Sequence, residues 1–460
     1  MDTQLLTTAA DVAEAAPAEN LLFDLGEPLP LPPPPAGRGT PRLRYAQRDQ
    51  AEMRFCSLDE LIPADHEVRQ VWDYVVGLDL SPLLAQIKAV QGSAGAAATD
   101  PRILFSLWLY ATLRQIGSAR ELDRRCEEDI AFQWLCGGVT LNYHTLSDFR
   151  TAHGDLLDQL LTTSVAVLLD QELVTMERVA EDGMRVRASA GASSFRRGPR
   201  LQQFLAAAEA QVAALKQELA EDPTAGTRRE RAARQRAAEE RRQRVRQALD
   251  SLPEVAAAKP VKDQDQARVS TTDAEARVMK MGDGGFRPAF NVLLATDTAT
   301  QVSGGVTVSS AGSDQGQLAP MVAQLEERYE EKPKEMLVDG GFTKLADLET
   351  VGQDGTTVYA PVPKPKNPER DPHTPLKNDT PQVAEWRERM ATAEAKEIYK
   401  ERASTAECVN AQARNRGLRQ FTVRGRAKVK AVVLWYVLAH NLRRLVALRG
   451  QREKAAAPAN

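Results

Sequence analysis

The chain has 460 residues, of which 42% are hydrophobic, 27% charged and 5% aromatic. These values exclude a collagenous chain, a disulfide miniprotein and a wholly disordered polymer, and ~100–200 residues per domain leaves room for several domains. Sixty Lys and Arg against 63 Asp and Glu give a net charge of −3, which by itself argues against an anionic partner.

Residues 1–37 hold six acids and no Lys or Arg, and end in PLPLPPPPAG, an extended polyproline stretch. Residues 1–40 are predicted to be a disordered acidic tail, and residues 451–460 a second disordered tail. Residues 41–175 are predicted to be all-helical. RILFSLWLYATLRQ (102–115) has the apolar density of a buried helix. Ser118, with Glu121 three residues on, forms a capping box that opens a helix, and Gly137 and Gly138 end it. LNYHTLSDFRTAHGDLLDQLL then turns into an amphipathic helix. This pair of helices suits either a DNA-binding helix-turn-helix or an ordinary helical hairpin.

The texture changes at residue 176. MERVAEDGMRVRAS is predicted to be a strand or a tight hairpin, with Asp182 and Gly183 at a turn-like position. Two helical arms follow over residues 200–250, broken at Pro223 and Gly226, so a helical insertion is expected over about 195–265. Residues 286–310 give two β runs with a turn near Thr298–Thr300. Next come a helix, a buried strand KEMLVDGGF ending at Asp339, another helix and a strand over 356–362. A Pro-rich loop (363–381), one long helix (383–414), a turn and a final helix over 418–449 complete the chain. The fold class is therefore α/β: a mixed sheet covered by helices over 176–450, behind an all-helical N-terminal domain.

Acids at the end of a buried strand are unusual, and Asp339 and Asp182 share the form Asp-Gly. Each can be a turn residue bonding its own backbone, or a carboxylate facing a site at the sheet edge. Four glutamates on the late helix could join them: Glu394, Glu397, Glu401 and Glu407. Glu407 stands out, because Ser404, Thr405, Ala406, Cys408 and Val409 around it read as a buried face, where a carboxylate needs a partner or a metal. Three carboxylates suit Mg²⁺, with Mn²⁺ able to substitute. Two such ions would support phosphodiester chemistry.

On these residues the chain resembles the bacterial insertion-sequence transposases of the DDE type, whose catalytic core is RNase H-like. The similarity spans about residues 41–450. The family places its first acid on the first strand, here Asp182, and its second after the fourth, here Asp339. Its third lies in a helical motif, which reads here as Tyr399, Arg402, Glu407 and Arg414. The gap between Arg402 and Glu407 is four residues, where some relatives have three, and Arg414 stands for a lysine. Glu401 is the alternative third acid. SLDELIPADHEVR (57–69) and NYHTLSDFR (142–150) resemble the family's N-terminal domain, and NRGLRQFTVRG (415–425) and AHNLRRL (439–445) its C-terminal part. The resemblance implies metal binding by Asp182, Asp339 and Glu407, and DNA contacts by Tyr399, Arg402 and Arg414. It implies hydrolysis at transposon ends and strand transfer into target DNA by a protein that is at least a homodimer when active. Two other readings stay open: a DNA-binding protein derived from a transposase but lacking catalysis, and a nuclease that cuts without joining.

The charge distribution agrees with a double-stranded DNA partner. From Cys408 to Arg452 there are eleven Lys and Arg and no acid, and Arg416, Arg419, Arg424, Arg426 and Lys428 lie in this run. Residues 228–246 carry nine arginines and three glutamates, which suits a DNA clamp, a subunit contact or a self-paired helix. Cys56, Cys126, Cys136 and Cys408 form no CxxC pair and read as reduced thiols of a cytoplasmic, nucleoid-associated protein. AVVLWYVLAHNL, the longest apolar run, is too short to span a bilayer, so no membrane partner is expected.

Overall fold

Seven helices precede the first strand among the described residues: α1 (Glu67–Val76), α2 (Ser81–Leu84), α3 (Pro101–Leu113), α4 (Ala119–Glu128), α5 (Ile130–Cys136), α6 (Tyr143–Ala152) and α7 (Gly154–Asp170). The structure is a computed structural model that describes Met53 and residues 55–92, 96–222 and 227–456. The tail expected over 1–40 and the break at Pro223 and Gly226 lie outside the described residues. Local chemistry sets the helix ends. The Ser118 hydroxyl accepts the Glu121 amide, and Gly137 ends α5 at φ 55°, in the left-handed region that glycine tolerates. The single helix expected between Ser118 and Gly137 is two. Asp129 ends α4 in extended backbone and its carboxylate caps α5 by accepting from Ala131 N, a competing cap inside an otherwise helical run.

The sheet centres on β1 (Arg178–Arg187), an unbroken strand rather than a hairpin, so Asp182 and Gly183 sit in its middle. On one side β1 pairs antiparallel with β5 (Phe286–Asp297). The outer edge of β5 takes β4 (Arg277–Lys280) at one end and β6 (Ser303–Ser309) at the other, both antiparallel. On its other side β1 pairs parallel with β7 (Glu335–Leu337), which pairs parallel with β8 (Thr357–Tyr359). The mixed sheet expected from the sequence is present, with β4 as an extra strand that RVMK was too short to announce.

Between β1 and β4 stands the helical insertion. Strands β2 (Phe195–Arg196) and β3 (Val269–Ser270) close its base as a small antiparallel pair. Its arms are α8 (Gly198–Glu221) and α9 (Arg228–Asp250), followed by the short α10 (Leu252–Ala257). Six of the nine arginines of the arm are internally engaged, Arg236 by donating to the Ala232 carbonyl of its own helix. Arg234 and Arg246 pair with Glu218 and Glu209 across the hairpin, Arg241 bonds Gln211, and Arg242 and Arg244 pair with Glu239 and Glu240. The self-paired reading of this helix therefore accounts for much of its charge.

Helices α11 (Leu318–Tyr329) and α12 (Leu345–Gln353) flank β7 in the chain. The long helix expected over 383–414 is divided into α13 (Pro381–Ala391), α14 (Ala393–Arg402), a π-helical turn (Ala403–Glu407) and α15 (Cys408–Asn415). Thr392 makes the first break, because its hydroxyl caps α14 by accepting from Ala395 N. The last helix, α16 (Arg426–Ala456), runs six residues into the segment expected to be a tail.

Helix α16 joins the two halves of the chain. The Trp435 ring lies 4.6 Å from that of Phe105 on α3, and its Nε1 donates to the Arg150 carbonyl of α6 at 3.0 Å. Asn441 bonds both the amide and the carbonyl of Ser303 on β6. From Cys56 onward the chain thus forms one compact unit with a shared core. Among the described residues α16 is also the helix long and apolar enough to cross a membrane, but its most apolar window is 67% buried by the rest of the protein.

His440 of α16 is buried, its Nε2 donates to the Gln301 carbonyl at 2.7 Å, and burial lowers its pKa to about 4. A histidine held neutral this way contributes full stability above the unfolded value near pH 6.5, and loses it as pH falls toward the folded value. Relative to His440→Gln, which does not titrate, the wild type should lose roughly 3 kcal/mol between pH 6.5 and 4. Urea unfolding of both proteins across that range measures it, and parallel pH curves would contradict it.

Candidate active site

Three acids from distant parts of the chain meet on one guanidinium. Asp182 is delivered by β1 and Asp339 by the end of β7. Continuing the β1–β7 register two positions beyond Ala180 and Leu337 sets Asp339 beside Asp182. Asp339 serves two purposes at once. Its Oδ1 accepts from Gly341 N at 2.7 Å, the turn role expected of Asp-Gly, while Oδ2 lies 3.9 Å from Arg402 Nη2. Arg402 Nη2 also donates to Asp182 Oδ1 at 2.8 Å, and its Nη1 donates to Glu407 Oε1 at 2.7 Å. The Arg402 side chain is only 9% exposed, against 16% for Asp182, 39% for Asp339 and 55% for Glu407.

The π turn sets this geometry. On an α-helix, residues four apart face each other, which is the spacing a gap of three gives. The extra residue between Arg402 and Glu407 makes the spacing five, and a π turn, with its i→i+5 repeat, returns the two side chains to one face. The Ser404 and Thr405 hydroxyls both donate to the Glu401 carbonyl and so satisfy the widened turn. Glu401, the alternative third acid, is directed elsewhere: its carboxylate accepts from Arg178 Nη1 at 2.7 Å, beside Glu335.

Burial raises the Asp182 carboxyl against the opposing pull of Arg402 and Asn410, and Asn410 Nδ2 donates to Asp182 Oδ2 at 2.9 Å. Strand alternation puts Glu181 on the opposite face of β1 from Asp182. Glu181 is completely buried, and neither carboxylate oxygen has a hydrogen-bond partner. Burial, then the charges of Asp314, Asp182, Asp347 and Asp339, push its pKa far above the usual glutamate range. Gly183 follows on the same face, where a Cβ would stand 2.5 Å from Asp314 Oδ1. Neither Glu181, Asp314 nor Asn410 was singled out by the sequence. The only available signal for Glu181 was its place one residue before Asp182 in an apolar strand.

The residues expected to contact DNA divide into two groups. Arg414, Arg419, Arg424, Arg426 and Lys428 are exposed on α15, the following loop and the first turn of α16, with Arg426 paired to Glu275 at 3.5 Å. Arg416 is placed differently. It is half-buried, bonds Gln412 at 3.3 Å and lies 3.5 Å from His440 Nδ1. Arg402 lies apart from these too, with its guanidinium held by the three acids. Tyr399 is half-buried one turn before Arg402, and burial raises its pKa. Beyond Lys428 most of the basic run has partners within the protein. Lys430 pairs with Asp158, Arg443 with Glu67, and Arg444 and Arg452 donate to the Thr300 and Gln171 carbonyls.

The donor set, three carboxylates with a buried amide oxygen beside them, has the hard-oxygen chemistry that Mg²⁺ and Mn²⁺ take. Arg402 now stands between the acids. Among the described residues no group of three or more His, Cys, Asp or Glu is arranged to hold an ion as it stands. Arg402 is thus the counter-cation of the site in this state. Removing one partner of a buried ion pair leaves the others uncompensated, so Arg402→Met should cost about 3 kcal/mol. Mg²⁺ should restore more stability to that variant than it adds to the wild type. Thermal melts with and without Mg²⁺ measure both effects, and equal Mg²⁺ responses would contradict the placement of Arg402.

Comparison with known proteins is consistent with the site. Residues 56–152 match the family model of a transposase domain (DUF772), which covers α1 to α6. Residues 367–446 match the transposase DDE domain, which includes Tyr399, Arg402, Glu407 and Arg414 but neither Asp182 nor Asp339. No curated protein and no solved structure matches the chain. A transposase domain in its first part and a transposase DDE domain in its last support an insertion-sequence transposase of the DDE type.

Proposed function

We propose that Asp182, Asp339 and Glu407 are the catalytic carboxylates of this DNA transposase, set in an RNase H-like core. The reading rests on one observation: acids from three separate parts of the chain converge on the single guanidinium of Arg402. The mixed sheet with β1 at its centre and the inserted helical hairpin support the same core. Residues 41–175 then form the helical part that helps hold the transposon ends.

Asp182, Asp339 and Glu407 would hold Mg²⁺ or Mn²⁺. When bound, such ions activate a water or a 3′-hydroxyl and stabilise the departing oxygen. In the first step water attacks a phosphorus at the element end, the P–O3′ bond breaks, and the freed 3′-oxygen takes up a proton. In the second, that 3′-hydroxyl loses its proton, bonds a target phosphorus and displaces the target's own 3′-oxygen. Arg402, once an ion takes its place among the acids, becomes available to a phosphate, beside Tyr399 and Arg414. The exposed cations Arg414, Arg419, Arg424, Arg426 and Lys428 hold the DNA backbone, and synapsis of two ends requires at least a homodimer.

Asp182→Asn, Asp339→Asn and Glu407→Gln should each abolish divalent-dependent cleavage of a DNA bearing the element's ends, with end binding near the wild-type level. Cleavage retained by Asp339→Asn would refute the assignment. Cleavage without joining of pre-cut ends would favour a nuclease, and no metal response at all a DNA-binding protein without catalysis. A second prediction concerns the basic surface. Replacing Arg414, Arg424 and Lys428 with alanine should lower the slope of log affinity against log salt by about 2 to 3. An unchanged slope in a filter-binding titration would remove these residues from the interface.

A further inference from the structure

Asn410 touches Asp182 although neither the motif nor the charge run points to it. It lies on α15 three residues after Glu407, on the same helix face, and is 2% exposed. Its Nδ2 donates to Asp182 Oδ2 at 2.9 Å while Arg402 donates to Oδ1 at 2.8 Å, so both oxygens of Asp182 are held from the helical side. The other end of the amide is bare. Asn410 Oδ1 is buried and has no hydrogen-bond partner. An unpaired buried polar atom is costly, and native structures rarely keep one without a reason. Rotating the amide does not relieve it, because the oxygen would then face the Asp182 carboxylate. The bare oxygen is therefore tied to holding Asp182, and it lies one amide away from the acids.

An amide oxygen is a neutral, hard donor of the kind that Mg²⁺ and Mn²⁺ accept alongside carboxylates. Resting on the DDE reading above, we infer that Asn410 is a positioning residue for Asp182 and that its amide oxygen is an additional ligand for the divalent ion. The same side chain thus fixes the direction of one acid and supplies an oxygen that is satisfied only when an ion is bound. Glu407 and Asn410, three residues apart, carry the two donors of α15 and its preceding turn to the ion as a unit.

The test uses the full chain with Mn²⁺ as the probe, free Mn²⁺ being counted by electron paramagnetic resonance, and thermal melts without metal. Asn410→Ala should raise the Mn²⁺ dissociation constant by about tenfold or more, the usual range for loss of a group that orients a ligand. Its metal-free melting temperature should stay near wild type, since the variant loses a bare oxygen together with a hydrogen bond. Asn410→Asp keeps an oxygen there and adds a charge. It should bind Mn²⁺ at least as tightly as wild type while its metal-free melting temperature falls, because two carboxylates then face each other. Wild-type Mn²⁺ affinity in Asn410→Ala would overturn the inference, as would weaker binding by Asn410→Asp should the alanine variant fail to fold. Wild-type Mn²⁺ binding by Asp339→Asn would instead overturn the DDE reading itself.

Discussion

The structure around the site depends on keeping several carboxylates together in a half-buried space. Like charges there repel, and burial alone already raises Asp182 and Glu181. Arg402 resolves the conflict on one face of β1, where its guanidinium meets Asp182, Asp339 and Glu407. On the other face Glu181 has no cation against it, and its shifted pKa answers the same constraint by favouring the neutral acid. The fold serves this arrangement by setting β7 parallel to β1, so that their register brings two aspartates level, and by laying α14 and α15 across the sheet.

The π turn connects this electrostatic requirement to the sequence. One extra residue between Arg402 and Glu407 would turn the two side chains away from each other on a regular helix. The wider turn absorbs it, and the hydroxyls of Ser404 and Thr405 donate to the Glu401 carbonyl at its start. A small departure from the family spacing thus becomes a local change of helix type without changing which acid reaches the site. The rest of the chain supports these elements through α16, whose Trp435 and Asn441 tie the front helices and the sheet to a common core.

Much of this was legible in the sequence because it rests on local signals. Ser118 and Gly137 mark helix ends, strand texture marks β1, β5 and β6, and Asp-Gly after an apolar run marks Asp339. The divided helices were not legible, since Asp129 and Thr392 act as caps without any glycine or proline to announce them. Arg402 was read as a DNA contact and not as the partner of the acids, because those partners lie up to 220 residues away in sequence. Asn410 was silent for the same reason: an asparagine on a polar helix is ordinary until Asp182 is set against it. Charge counting also does not distinguish Lys428, exposed, from Lys430, paired with Asp158.

On the proposed function, Asp182, Asp339 and Glu407 share one divalent-ion site whose place Arg402 holds in the absence of metal. Fe²⁺ carried into that site, with ascorbate and peroxide, generates hydroxyl radicals that cut the nearby backbone. Mapping the cuts is therefore the most direct measurement. Cleavage is expected close to all three residues, suppressed together by excess Mg²⁺ and lost together in Asp182→Asn. Cuts confined to one of the three segments, or unaffected by Mg²⁺, would contradict it.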